Sequence, residues 1–400
     1  MFQVSYYNKK TVRDIEVFGK KILLRCDFNV PLDSEKNITD TKRIDESLKT
    51  IEYLLDKGAK LIVCSHLGSP GGVFNPEFSL KPVAKYLSQK LKCSVKLSSE
   101  VLGEVTQKIV SDLKSGEMCL LENLRFEPGE VENSKEFSEK LASLAEIYVN
   151  DAFGVCHRAH ASVVGVTEFL PSACGFLIEK EISEMSKILS SPERPFIAIL
   201  GGAKVSNKIE IINNLLDKID VLIVGGGMAY TFTNALGYPI GNSICENDKV
   251  PLAKDVMVAA KDKGVKLVLP IDFKVSDKYS PDGNYKIVDA DKIPENFMGL
   301  DIGPETIKIF KETLQNAKTI LWNGPMGVFE WDNFAEGTFE VGKAIADSGA
   351  ISIIGGGDSA AAMRKLGLTD KMTHVSTGGG ASLEFLGGKI LPGLSSIDDK

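Results

Sequence analysis

The hydrophobic positions of this chain fall into short β-branched runs, separated by longer stretches in which apolar residues recur every three or four positions. That alternation predicts strands and helices following one another. The first half carries the runs "KKILLRCDFNV", "KLIVCSHLG", "MCLLENLRF" and "IYVNDAFG"; the second carries "PFIAILGGAK", "VLIVGGG", "KLVLPIDF", "TILWNG" and "ISIIGGG". Helical patterns such as "RIDESLKTIEYLLDKG" and "FSLKPVAKYLSQKLK" lie between them. The runs are continuously apolar, so both faces of each strand need cover. That predicts α/β architecture with doubly wound parallel sheets, once in each half. No short fixed period marks a solenoid.

A chain of 400 residues exceeds what one core usually supports, so two domains are expected. Between the halves, "SACGFLIEKEISEMSKILSSPERP" places apolar residues at 177, 178, 182, 185, 188 and 189, a helical stripe ending in a Ser/Pro-rich break. Residues 173–194 are therefore expected to form a helical connector between a first domain ending near 172 and a second beginning at 195. A helix is a stiff joint, so motion should arise at its ends.

Composition narrows the classes. The formal charge of -7 argues against non-specific nucleic-acid binding. Seven scattered cysteines, never spaced C-x-x-C, fit reduced thiols better than a disulfide framework or a zinc site. The first residues lack the apolar core of a signal peptide, and no apolar run nears the ~20 residues that span a bilayer. A cytoplasmic protein without membrane or nucleic-acid partners is the expectation.

Ligands of open α/β sheets bind beyond the carboxyl ends of the strands. In the first half those ends carry Asp27 and Asn29, then His66, Arg125, Asn150 and Asp151, followed closely by His157, Arg158 and His160 in "HRAHAS". Arg43, before a helical pattern, can join them. Guanidinium forks grip phosphate or carboxylate oxygens while Asp or Asn hold a hydroxyl, so a small, strongly anionic, hydroxylated ligand is expected. Taken singly, each of these residues could equally cap a strand or helix. The two histidines of "HRAHA" lack a third ligand nearby, which weighs against a metal site.

In the second half the strands end in glycine: "ILGGAKVSNK", "VGGGMAY", "WNGPMGVFE" and "IIGGGDSAAAM". Glycine lets backbone approach a ligand closely, and free N–H groups at a helix start favour phosphate, so a nucleotide crevice is expected. Asp358 is the candidate to meet a phosphate-bound Mg²⁺. Lys204 and Lys208 are placed to neutralise phosphoryl oxygens. Two motifs mislead. "GTFEVGKA" misses the P-loop pattern because Ala344 stands where Ser or Thr should be, and it lies within a helical stretch. "GGGDSA" fits a loose dinucleotide fingerprint, but no ribose-reading acid follows about 20 residues later.

The motifs "RCDFNVP", "SHLG", "LLENLRF", "VNDAFG", "HRAHAS", "GGAKV", "GGGMAYTF", "WNGPMGVFE", "GGGDS" and "STGGGAS" occur in the order seen in phosphoglycerate kinases, and the chain resembles that family end to end. The resemblance implies two facing domains with a cleft between them. It implies that 388–400 return to the first domain and that 195–387 bind the nucleotide. It places 3-phosphoglycerate on Asp27, Asn29, Arg43, His66, Arg125 and Arg158. It places ATP or ADP on Lys208, Gly299, Glu330 and the run Gly356, Gly357, Asp358 and Ser359, with Asn323 near the phosphates and Glu330 on the ribose hydroxyls. A monomer is implied. Two departures stand out: Asn207 where many members have Asp, and Ser69 where Arg usually follows His-Leu-Gly.

The implied reaction is reversible phosphoryl transfer from 1,3-bisphosphoglycerate to ADP, giving 3-phosphoglycerate and ATP. The carboxylate acceptor of the reverse reaction is already ionised, so no general base is needed. In-line positioning and cations, chiefly Arg43, Lys208 and Mg²⁺, should carry catalysis, with domain closure excluding water. A nicotinamide dehydrogenase and a non-catalytic phosphometabolite-binding protein are the alternatives. The loss of a cation at Ser69 is expected to lower substrate affinity modestly.

Overall fold

The computed structural model describes residues 8–400. They divide into two compact units: one runs to Ser183 and takes in Ile390–Lys400, and the other is Glu184–Lys389. The division falls within the helix Phe176–Ser190.

In the first unit, β1 (Lys21–Arg25), β2 (Lys60–Cys64), β3 (Lys96–Leu97), β4 (Met118–Leu120), β5 (Ile147–Asn150) and β6 (Ser172–Cys174) form one sheet in the order β3-β4-β2-β1-β5-β6. Every pairing is parallel. The chain winds from β1 towards β2 on one side, then crosses to β5 on the other. The carboxyl ends of β1, β2 and β5 thus meet at a topological switch point, where such sheets bind ligands. The helix Lys42–Asp56 joins β1 to β2 and buries Ile44, Ile51 and Leu54 against the sheet. Thr41 donates to Asp45 at its start (2.7 Å), and Gly58, with φ +75°, ends it in the left-handed region that glycine tolerates. Arg43 is carried on its first turn.

The C-terminal segment closes onto this unit. The Lys10 amide donates to the Asp398 carbonyl (2.9 Å) and the Lys400 amide to that of Asn8 (2.7 Å). Leu391, Leu394 and Ile397 are buried there.

The second unit holds β7 (Phe196–Leu200), β8 (Val221–Val224), β9 (Lys266–Val268), β10 (Asp272–Ser276), β11 (Tyr285–Asp289), β12 (Met298–Ile302), β13 (Thr319–Asn323), β14 (Ile351–Gly355) and β15 (His374–Val375). Six of these form a parallel sheet, β15-β14-β13-β7-β8-β9; the other three form an antiparallel sheet, β11-β10-β12. The hydrophobic pattern does not reveal that second sheet. "KLVLPIDF" reads as one strand but is two, because Pro270 has no N–H to continue a ladder. β3 and β15 are two residues each, too short to show a period. The segment "GTFEVGKA" lies in the helix Glu336–Asp347, as its apolar spacing predicts. All seven cysteines are free thiols. Among the described residues no helix is long and apolar enough to cross a membrane.

Candidate functional site

At the switch point of the first unit the strand ends bring a cationic cluster together. Asp27, two residues past β1, is 5% exposed and pairs with the Arg43 guanidinium at 3.1 Å. Arg43 also donates to the Asn29 carbonyl (3.1 Å), and the Asn29 side-chain oxygen accepts from the Gly68 amide (2.9 Å). The loops after β1 and β2 are thereby tied together. Arg125 donates to the Gly68 carbonyl (2.7 Å) and to the Ser69 hydroxyl (3.3 Å), while its buried Nε has no protein partner. Burial, then Arg158 and Arg25, push its pKa down from the usual guanidinium value. Arg158 is exposed on the loop after β5.

His66 is 3% exposed, and its Nδ1 lies 3.2 Å from a terminal nitrogen of Arg25. Arginine only donates, so Nδ1 must be the acceptor. Burial, reinforced by Arg25 and the other arginines, holds the imidazole pKa well below its ordinary value. The ring is neutral with its proton on Nε2, a donor suited to an anionic oxygen.

Arg25 is the residue that reading strand ends misses. It is the last residue of β1, fully buried, and donates through Nε to the Ser162 hydroxyl (2.9 Å) and through a terminal nitrogen to the Cys26 carbonyl. Its signal was an arginine inside the apolar run "ILLRC". The other strand-end candidates have structural partners. Asn150 donates to the Gly393 carbonyl (3.1 Å), holding the C-terminal segment. Asp151 accepts from the Leu177 amide (2.8 Å) at the start of the helix Phe176–Ser190. Both act as caps, Asp151 through Oδ1 alone, because β5 ends where two other segments dock. His160 is buried and neutral, its pKa lowered to about 4 chiefly by burial.

In the second unit two cavities adjoin, sharing Gly202, Ala203, Pro325 and Asp358. One, of about 470 Å³, is walled by Tyr230, Ile244, Leu300, Met326 and Val328, with Gly299 on its floor and Glu330 at its rim. The other, of about 440 Å³, is polar: Lys204, Asn207, Lys208 and Asn323 face Gly356, Gly357, Asp358 and Ser359. The glycines are there for contact. At Gly324 (φ +99°) a Cβ would sit 2.3 Å from the Gly201 backbone, and at Gly226 (φ +65°) it would sit 2.5 Å from the Gly202 amide nitrogen. Three loops therefore close on one another only as bare backbone.

Lys208 is 8% exposed and donates to the Asn323 side-chain oxygen. Burial lowers its pKa to about 8, and the Asp358 carboxylate opposes that shift. The Asn323 Nδ2 is buried with no partner, and a methyl group on Gly356 would lie 3.3 Å from it. The hydroxyl of Ser359 accepts from the Gly324 amide (2.7 Å), fixing the start of the helix Gly357–Lys365 against the loop after β13. Lys204 is exposed.

An arginine cluster in one parallel-sheet unit and an apolar cavity leading to a glycine, lysine and aspartate chamber in the other define a class: a two-unit α/β small-molecule kinase. The sequence comparisons specify it further. Residues 12–389 match the family model described as phosphoglycerate kinase. Phosphoglycerate kinases from Clostridium botulinum and Clostridium kluyveri are 57% and 56% identical over 397 residues, covering 98% of this chain and 100% of each relative. Solved phosphoglycerate kinases from Coxiella burnetii and Pyrococcus horikoshii superimpose with TM-scores of 0.86 and 0.85, at 41% and 35% identity, over 97% of this chain and 98% of theirs. The chain belongs to the phosphoglycerate kinase family.

Proposed function

We propose that the chain transfers a phosphoryl group between 1,3-bisphosphoglycerate and ADP, giving 3-phosphoglycerate and ATP, with the roles below. The observation that carries this reading is the buried pair Lys208–Asn323. A lysine desolvated to a pKa of about 8 and an amide nitrogen with no partner sit side by side over the glycines that start a helix. The amide nitrogen is an uncompensated donor and the ammonium has donors beyond its one bond to the Asn323 oxygen, and phosphate oxygens would take both.

The apolar cavity takes the nucleoside, with Glu330 accepting from ribose hydroxyls and the Tyr230-packed Gly299 forming the floor. The polar chamber takes the phosphates on Lys204, Lys208, Asn323 and the amides of Gly356 to Ser359. Asp358 borders both cavities, and its single carboxylate fits Mg²⁺, which takes its remaining oxygens from phosphates and water. Bound there, Mg²⁺ neutralises charge on the phosphate chain. Asp27, Asn29, Arg43, His66, Arg125 and Arg158 hold 3-phosphoglycerate, the arginines on its anionic groups and Asp27 on its hydroxyl. During transfer the bond from the acyl oxygen to phosphorus breaks as that from the ADP terminal oxygen forms. Arg43 and Lys208 offset charge on the equatorial oxygens. No proton needs removal from the carboxylate acceptor of the reverse reaction. We place the enzyme in the cytoplasm, a reading supported by its unbridged cysteines, and take it as a monomer from the family resemblance.

The test is ADP release from ATP that depends on both 3-phosphoglycerate and Mg²⁺. Lys208→Ala should cut kcat about 10²- to 10³-fold. Equal activity in the variant would remove Lys208 from the chemistry, and nicotinamide reduction by the wild type would restore the dehydrogenase alternative.

A further inference from the structure

Behind the arginine cluster lies a buried run of polar groups, Glu130, Ser162 and Arg25, to which the proposed reaction assigns no role. Glu130, on the short helix Pro128–Val131, is fully buried. One carboxylate oxygen accepts from the Ser162 amide (2.9 Å) and the other from the Ser162 hydroxyl (2.6 Å). That hydroxyl spends its one proton on Glu130, so the bond to Arg25 at 2.9 Å has the Arg25 Nε donating to the serine lone pair. Arg25 then presents a terminal nitrogen to Nδ1 of His66 at 3.2 Å. Arg25 is thus the donor on both sides, to Nδ1 of His66 and to the Ser162 hydroxyl, and Ser162 in turn donates to Glu130.

The same residue also seats a loop, through its backbone carbonyl as well as its carboxylate. The Glu130 carbonyl accepts from the Ala161 amide (2.9 Å), so Glu130 fixes residues 161 and 162 through three bonds. Arg158 is carried on the same loop, and the buried His160 ring stands 3.8 Å from the carboxylate.

We propose that Glu130, acting through Ser162 and Arg25, is a positioning residue that sets His66 as an Nε2–H donor and seats the loop carrying Arg158. This rests on the reading that the first unit binds 3-phosphoglycerate. Two effects of Glu130 on that anion have opposite signs. As a negative charge among Arg25, Arg125 and Arg158, it opposes anion binding by its field, so removing it should tighten binding. As a positioner it favours binding, so removing it should weaken it.

The experiment measures the dissociation constants of 3-phosphoglycerate and ADP for wild type, Glu130→Gln, Ser162→Ala and Ser162→Thr. It also records the ¹⁵N shifts of the His66 ring. Positioning predicts that Glu130→Gln and Ser162→Ala weaken 3-phosphoglycerate binding about tenfold, the scale of one lost bond to a charged group. ADP affinity stays unchanged, His66 loses its single tautomer, and Ser162→Thr restores both readouts by keeping the hydroxyl. Tighter or unchanged 3-phosphoglycerate binding in folded Glu130→Gln overturns the proposal, as does an unaltered His66 tautomer in Ser162→Ala. Should Glu130→Gln fail to fold, the two serine variants decide. If the wild-type His66 signals do not respond to 3-phosphoglycerate at all, the fault lies in the underlying site assignment and not in the relay.

Discussion

At Lys208 the cost of the site falls on one side chain. Its pKa is about 8 in the folded chain against an ordinary 10.5, so the folded state holds this proton less tightly than the unfolded state. Between those values the unfolded chain binds more protons, and stability must rise with pH across that window. Denaturant titrations of wild type should show this rise from pH 8 to 10.5, and Lys208→Met should lack that increment. Parallel curves for the two proteins would place the ammonium in solvent. Ser69 presents the opposite case. Its hydroxyl accepts from Arg125 at 3.3 Å, so the position borders the cationic cluster. Ser69→Arg should tighten 3-phosphoglycerate binding, with a steeper salt dependence, since a cation near phosphate is worth about 1–4 kcal/mol before screening. An unchanged dissociation constant would show that residue 69 faces away from the ligand.

Among the elements, the glycine loops of the second unit decide the shape of the cavities. β12 passes so close to Tyr230 that a Cβ on Gly299 would lie 1.9 Å from the phenolic oxygen. Tyr230 is buried and packed on Phe273, with ring centroids 4.7 Å apart, so it cannot step aside cheaply. Gly299→Ala should therefore narrow the apolar cavity. The expected result is a nucleotide KM raised about tenfold or more with the 3-phosphoglycerate KM unchanged, as for an overpacking strain of about 1–3 kcal/mol. Equal effects on both substrates would indicate general unfolding. The long continuous strands and the helix at 42–56 were legible because burial on both faces leaves an unbroken apolar run. β10 to β12 were not. Their sheet is antiparallel, β11 is mostly exposed, and Pro270 hides a boundary inside an apolar run.

For the whole chain, the two proposed ligand sites belong to different compact units, so the reaction requires their ligands to meet. We place that movement at the ends of the helix Phe176–Ser190, which passes from one unit to the other. Small-angle scattering should show a smaller radius of gyration with both ligands than with either alone, and no compaction would defeat the idea. Asp151 anchors the first turn of that helix to β5, so its loss should uncouple the helix from the strand that leads to Arg158.

The sequence by itself determined the two parallel-sheet halves, the family, and most side chains of both proposed sites. Strand ends in such sheets converge whatever lies between them, and glycine, arginine and lysine at those ends advertise their chemistry. It did not separate Asn150 and Asp151 from their neighbours, since a cap and a ligand look alike until the docking partner is in place. Nor did it reveal Arg25, Ser162 and Glu130. They lie 137 and 32 residues apart in sequence, and their bonds arise only when β1, a short helix and the 157–162 loop are packed together. Local periodicity records which face of an element is buried. Which polar groups must answer one another inside the protein is decided by tertiary packing.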